Sequence, residues 1–453
     1  MLQAINPTTG EQLAEQDALS AEAAAGVIER VADGFPDWRA LSMAARAERL
    51  HAMAKALRDN KDELADLMAL EMGKPLAEGL GEVEKSAFCA EYYAKHGADF
   101  LASETIASDA SRSFVQYPPL GTVLGILPWN APTWLALRFL APALMAGNTC
   151  VMKPDPHVPA TARALERIFH ESGLPENVMA NLPITNDLVA DLIDHPRIKA
   201  VSFTGSSGSG QKVAARAAAG LKPAVLELGG SDPCIVMADA DLDKAADIVT
   251  LSRMINAGQS CIAAKRLLVE RPIYEAFCQQ LHERFSALTL GDPRDTNNKL
   301  GPLARGDLRD QLHQQVTESM KAGARCLLGG ELPDGPGFFY PPTLLLDVAP
   351  GMPVFEQETF GPVLAVTPVD SLEQALELAN ATEYGLGASI WTGSEDTINT
   401  AVAQLEAGQI AVNGIVKTDP RLPSGGIGKS GYGRELGPHG IREFVNTQQV
   451  WIA

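Results

Sequence analysis

Beyond Gly121 the chain repeats one unit, a short β-branched or apolar run followed by a stretch with helical spacing. GTVLGIL (121–127), TCVMK (149–153), VMANL (178–182), AVSFTG (200–205) and AVLELGG (224–230) are separated by segments such as 159–172 and 207–219. Strands that bury both faces read as continuous apolar runs, and helical crossovers between them make the strands parallel. The fold class is therefore α/β with a mostly parallel sheet. The alternation resumes after Ser231 and runs to about residue 420, with no linker rich in Gly, Pro or Ser, so a boundary is placed near Gly230. Residues 20–100 differ: they are Ala-rich with helical spacing, and helix caps are expected at Ser20, at Ser42, and at Asn60 with Glu63 three residues on. FVNTQQVWI (444–452) reads as a terminal strand that pairs inside the fold or adds to a partner's sheet.

Charge and cysteine usage exclude several function classes. Against 37 Lys and Arg stand 56 Asp and Glu, a net charge of −19 that repels phosphate backbones and anionic lipid. Nucleic acid and membrane surfaces are not expected partners. No apolar run reaches the ~18 residues of a membrane helix, and Met1–Gly10 lacks the basic and apolar regions of a signal peptide. Six cysteines without a CxxC pair point to free thiols in a reducing compartment, so the cytoplasm is expected. The 453 residues suffice for two or three domains.

Some motifs fail. The eight histidines show no HExxH or paired Cys/His spacing, so no metal site is expected. GGIGKS (425–430) resembles the end of a P-loop, but Pro423 stands where the first glycine is required. FTGSSGSG (203–210) is different: a strand ends at Gly205 and Ser206 and runs into an Ala-rich helix, a turn whose free N–H groups and helix dipole suit a pyrophosphate. PWNAP (128–132) closes a strand with the Asn130 carboxamide, LELGG (226–230) sets Glu227 between leucines, and NAGQSC (256–261) puts Cys261 after a small-residue turn. Thiol, carboxylate and amide donor together form the set that acyl chemistry through a thioester requires.

These segments, with MKP (152–154), EQETFGP (356–362), GYGRELG (431–437), INPTTGE (5–11) and EMGKP (71–75), resemble the aldehyde dehydrogenase superfamily in order and over nearly the whole chain. LELGGSDP (226–233), SCIAAKR (260–266) and VKTDPRLPSGG (416–426) are most similar to its bacterial and cyanobacterial succinate-semialdehyde dehydrogenase branch. The resemblance implies a Rossmann-like dinucleotide-binding domain (1–110 and 120–228), an α/β catalytic domain (229–428) and a β oligomerisation flap (111–119 and 429–453) that joins a homodimer or homotetramer.

The resemblance further implies that Cys261 attacks an aldehyde carbonyl, with the oxyanion held by the Asn130 amide and the Cys261 backbone N–H. Glu227 activates the deacylating water, so the product is the free acid. Lys153 falls at the adenosine ribose, Gly205 and Ser206 at the pyrophosphate, Trp129 near the phosphates, and Glu358 and Phe360 at the nicotinamide ribose and ring. Pro156 replaces a Glu that would repel a 2′-phosphate, which favours NADP over NAD; His157 is a further donor, whereas Asp155 opposes. Ala263 stands where some relatives carry a second cysteine, which removes a local disulfide switch.

Arg138, eight residues after Asn130, is at the spacing that the succinate-semialdehyde branch uses for a distal carboxylate, with Ser260, Lys417 and Arg421 as additional donors. The alternative is a structural Arg paired with a carboxylate, because benzaldehyde-type relatives combine such an Arg with a KPDP segment like 153–156; an aromatic or other short aldehyde is then the substrate. From other classes, a non-catalytic dinucleotide-binding scaffold is expected to lose the nucleophile or the base, and a cofactor-free thiol hydrolase wants a histidine partner for the cysteine.

Overall fold

A computed structural model describes residues 2–13 and 15–453. The runs expected as strands are strands. Five of them, joined by the unanticipated strand Gly431–Tyr432, form one sheet in the order Gly431–Tyr432, Ala224–Glu227, Ile198–Thr204, Thr122–Ile126, Thr149–Lys153 and Met179–Asn181, parallel except for the first. Seven form a second sheet: Arg325–Leu328, Thr343–Leu346, Val363–Val369, Arg266–Glu270, Pro233–Val236, Gly387–Trp391 and Gln409–Val412. Here only the first pair is antiparallel. Every residue of Thr122–Ile126 and Thr149–Lys153 is buried, the condition that makes such strands continuously apolar in sequence.

The opening is helical: Ala21–Asp33, Phe35–Ala40, Met43–Asp59, Lys61–Met72 and Leu76–Phe100. Ser20 and Ser42 cap as expected, accepting from the N–H groups of Ala23 and Ala45. Asn60 does not. Two helices abut there, and its amide donates back to the Ala56 carbonyl (2.8 Å), while Glu63 is taken by Arg167. Helix Leu76–Phe100 lies against Met43–Asp59 and against Pro132–Ala146, a helix buried along its whole length.

Parts of the two segments expected to make a flap lie in a three-stranded antiparallel sheet in which Arg112–Gln116 runs between Glu104–Thr105 and Gln448–Ile452. It takes less of the chain's end than 429–453. Gly431–Tyr432 instead joins the first sheet beside Glu227, and helix Gly437–Arg442 packs on Leu76–Phe100 and Pro132–Ala146. No helix among the described residues is long and apolar enough to cross a membrane.

Candidate active site

A cavity of about 1270 Å³ lies between the two large sheets. Its lining takes in Lys153, Gly205, Ser206, Ser209 and Lys212, then Trp129, Glu358 and Phe360, and also Asn130, Trp134, Arg138, Ser260 and Cys261. The thiol and the carboxamide thus share one chamber, with the expected dinucleotide residues lining the same space. Pro156 is not in the lining, whereas its neighbour Asp155 is.

Local sequence explains how Cys261 is presented. Helix Leu242–Met254 stops, and Asn256, Ala257 and Gly258 follow with φ of 54°, 50° and 75°. Left-handed backbone is ordinary for Gly and tolerated by Asn, but costly for Ala, so the turn is held against strain. Its fastenings are explicit. The Asn256 N–H donates to Glu78 (2.7 Å), and its side-chain amide donates to the carbonyls of Asn130 (2.9 Å) and Gln259 (3.1 Å). The Asn130 amide donates to that Gln259 carbonyl (3.1 Å), which ties the amide directly to the loop bearing Cys261. Beneath the loop, buried Lys265 donates to the carbonyls of Ser260 (2.9 Å) and Cys261 (2.6 Å) and lies 3.6 Å from Glu358. Burial pushes the Cys261 thiol up to about 11, an effect that Lys265 and Arg138 oppose and Glu227 and Glu358 reinforce.

Asn130 is set by the start of helix Pro132–Ala146. Glu82, on helix Leu76–Phe100, accepts from Thr133 N (2.9 Å), Thr133 Oγ1 (2.7 Å) and Trp134 N (3.1 Å), satisfying N–H groups that a helix start leaves free. Lys74 joins Glu82 to the Asn130 carbonyl. Sequence reading missed Glu82, Lys74 and Asn256, because each acts on a segment distant in the chain; Lys265 was missed because a lysine four residues past a cysteine gives no sign that it is buried beneath the loop.

Glu227 is not where one shared pocket would put it. It is 3% exposed, lies outside the cavity lining, and faces Arg138, with Oε2 3.5 Å from Arg138 Nη2 and Oε1 lacking a hydrogen-bond partner. Burial raises its pKa well above the carboxylate range, Arg138 opposing and Glu435 adding. Arg138 also pairs with Glu435, itself buried. The guanidinium is therefore already engaged by two carboxylates, the alternative weighed for this residue, although it touches the cavity. Arg421 is corrected more fully: it pairs with Asp419 (2.6 Å) and does not line the cavity. Exposed Lys417 does line it, as does Ser260.

At the dinucleotide end, Ser206 caps helix Ser207–Ala219 and accepts from Ser209 N, so the positive helix terminus opens into the cavity. Lys153 donates to Asn186. His157, expected as a free donor, is turned to Asp155, with 2.6 Å between Nδ1 and Oδ1. Burial raises the Asp155 pKa, but the His157 hydrogen bond and the nearby charges of His157 and Lys153 outweigh it and leave the carboxyl below its usual value. Trp129 and Phe360 meet edge to face, 5.8 Å between centroids.

A parallel α/β sheet with a capped helix start facing a cavity, and a thiol and carboxamide lining that same cavity, define a dinucleotide-binding enzyme that works through an acyl-thioester. Residues 1–450 match the aldehyde dehydrogenase family, and the chain belongs to it. It is 44% identical over 449 residues to a probable NADP(+) succinate-semialdehyde dehydrogenase of Synechocystis, covering 99% of both chains. Identity is also 44% to an NAD(P)+ succinate semialdehyde dehydrogenase of Escherichia coli, over 447 residues, 99% of this chain and 97% of that one. The structure of succinic semialdehyde dehydrogenase from Streptococcus pyogenes with NADP+ superposes with a TM-score of 0.97 at 35% identity, covering 100% of each chain. Lactaldehyde dehydrogenase from Escherichia coli superposes with a TM-score of 0.95 at 36% identity, over 99% of this chain and 95% of that one.

Proposed function

We propose that this aldehyde dehydrogenase oxidises succinate semialdehyde to the free acid with NADP or NAD, NADP being favoured. The observation that carries the reading is the single cavity joining Cys261 and Asn130 to the Ser206 helix start. The names of the relatives and the bound NADP+ of the streptococcal structure support substrate and cofactor.

The chain's residues fit a nicotinamide dinucleotide. Ser206 and the N–H groups behind it suit the pyrophosphate, Lys153 a ribose or its phosphate, and Glu358 with Phe360 the nicotinamide end. Hydride acceptance is the chemistry that the dinucleotide supplies when bound. Cys261 sulfur attacks the aldehyde carbon, and the Asn130 amide with the Cys261 N–H receives the oxyanion; loss of one such donor costs ~10² to 10³ in rate. After oxidation the acyl group remains on sulfur as a thioester. Glu227 swings from Arg138 toward the cavity and takes a proton from the water that releases the acid, a role its raised pKa suits.

We infer three units, built on the six-stranded, seven-stranded and three-stranded sheets, and a homo-oligomer formed through the last. A specificity panel read at 340 nm tests the function: turnover of succinate semialdehyde above butanal and benzaldehyde is expected, and preference for either competitor overturns the substrate. A hundredfold preference for NAD in kcat/KM overturns the cofactor reading.

A further inference from the structure

With Arg138 neutralised by Glu227 and Glu435, the cavity needs another cation if it is to hold an anionic substrate. Lys85 supplies one. It lies on helix Leu76–Phe100, one turn after Glu82, whose hydrogen bonds lock this helix to the start of Pro132–Ala146. Its ammonium donates to Thr418 Oγ1 (2.7 Å) and stands 4.0 Å from the centre of the Trp134 ring. Lys85, Trp134, Thr418, Ser260 and Cys261 all line the same cavity. Among the described residues the ammonium has a neutral hydroxyl and an aromatic face for partners and no carboxylate within 4.0 Å; Glu82 and Asp419 act on it only from farther off.

Position matches this chemistry. Trp134 lies in the first turn of Pro132–Ala146, the helix that begins two residues after Asn130, so the cation over its ring and the oxyanion donor border one cavity. A strongly hydrated ammonium held over tryptophan at the edge of a cavity keeps free donors for an anion. Burial, with the Arg138 charge nearby, draws its pKa down to about 8, and an arriving carboxylate relieves that penalty.

We propose that Lys85, oriented by Thr418 and Trp134, binds the distal carboxylate of a short ω-carboxylated aldehyde and thereby determines substrate selectivity. The inference rests on the aldehyde oxidation proposed above. It assigns the anion-binding role to a cation with no directly paired carboxylate and leaves Arg138 to position Glu227.

Lys85→Met tests it. The ratio of kcat/KM for succinate semialdehyde to that for butanal is expected to fall about ten- to hundredfold, mostly through KM, the scale of one charge-assisted hydrogen bond. Competitive inhibition by glutarate, a non-reacting dicarboxylate, should weaken by a similar factor. An unchanged ratio, or equal losses for both aldehydes, overturns the role of Lys85. If Lys85→Met does not fold, Thr418→Val reads the same ratio, with an expected drop of about threefold and overturn by no drop. The underlying function fails separately, through the unmodified protein: no preference for succinate semialdehyde over butanal removes the substrate itself.

Discussion

Arg138 stands between two buried carboxylates, 3.5 Å from Glu227 and ion-paired with Glu435, and so fixes the resting position of the proposed base. Removing it leaves both carboxylates without their counter-charge, a change that costs about 3 to 5 kcal/mol when a buried pair is broken. Arg138→Met is therefore expected to lower stability and to reduce kcat for carboxylated and uncarboxylated aldehydes by similar factors. Thermal melts and kinetics on succinate semialdehyde and butanal check this; a loss confined to the carboxylated substrate contradicts it.

The pH dependence follows from burial. Glu227 is raised to about 7 by burial, with Arg138 pulling down and Glu435 pushing up, and the base must be ionised to act. A raised acid is mostly neutral below its folded pKa, so kcat limited by deacylation rises with pH through about 7 and then levels. The Cys261 thiol, raised to about 11 chiefly by burial, behaves differently in the free enzyme: its alkylation by iodoacetamide should keep accelerating beyond pH 8. Stopped-flow kinetics and timed alkylation separate the two limbs.

Asp155 lines the dinucleotide end, is bound by His157, and its carboxyl sits below the usual range. Its negative charge opposes a 2′-phosphate. Asp155→Asn keeps an acceptor for the His157 N–H and is expected to raise the NADP-to-NAD ratio of kcat/KM several-fold, about 1 kcal/mol, the scale of a partly exposed charge pair. An unchanged ratio places the 2′-phosphate elsewhere.

The strand Gln448–Ile452 leaves one edge of its sheet unpaired and exposes Trp451 by 50%. Unpaired edges invite pairing with another chain. Gln449, which alternates with the inward-paired Gln448 and Val450, faces that free edge; Gln449→Pro removes a donor there and should shift a homo-oligomer toward monomer in light scattering, with an unchanged mass arguing against this surface.

The strands were legible because burial on both faces leaves an apolar run that local sequence cannot hide; Ile198–Thr204 and Ala224–Glu227 fall on such runs. Ser20 and Ser42 were legible as caps because each contacts a backbone three residues away. Asn60 failed because one residue served two abutting helices and the carbonyl behind it won. The site divides the same way. Cys261, Asn130 and Ser206 sit in short distinctive segments, whereas the retreat of Glu227 depends on Arg138 and Glu435, which only folding brings together. Lys85 carries no local mark: on a helix it reads as one more solvated lysine until Trp134 and Thr418 are placed around it.

The thioester on Cys261 is the central claim, and Glu227→Gln is the variant that should trap it, because deacylation loses its base while attack by sulfur and oxidation proceed. Rapid quenching of this variant with NADP and succinate semialdehyde, followed by peptide mass spectrometry, should find one succinyl group on the Cys261 peptide, formed with one equivalent of NADPH. NADPH formation with no such adduct, or with the acyl group on another cysteine such as Cys326, contradicts the account.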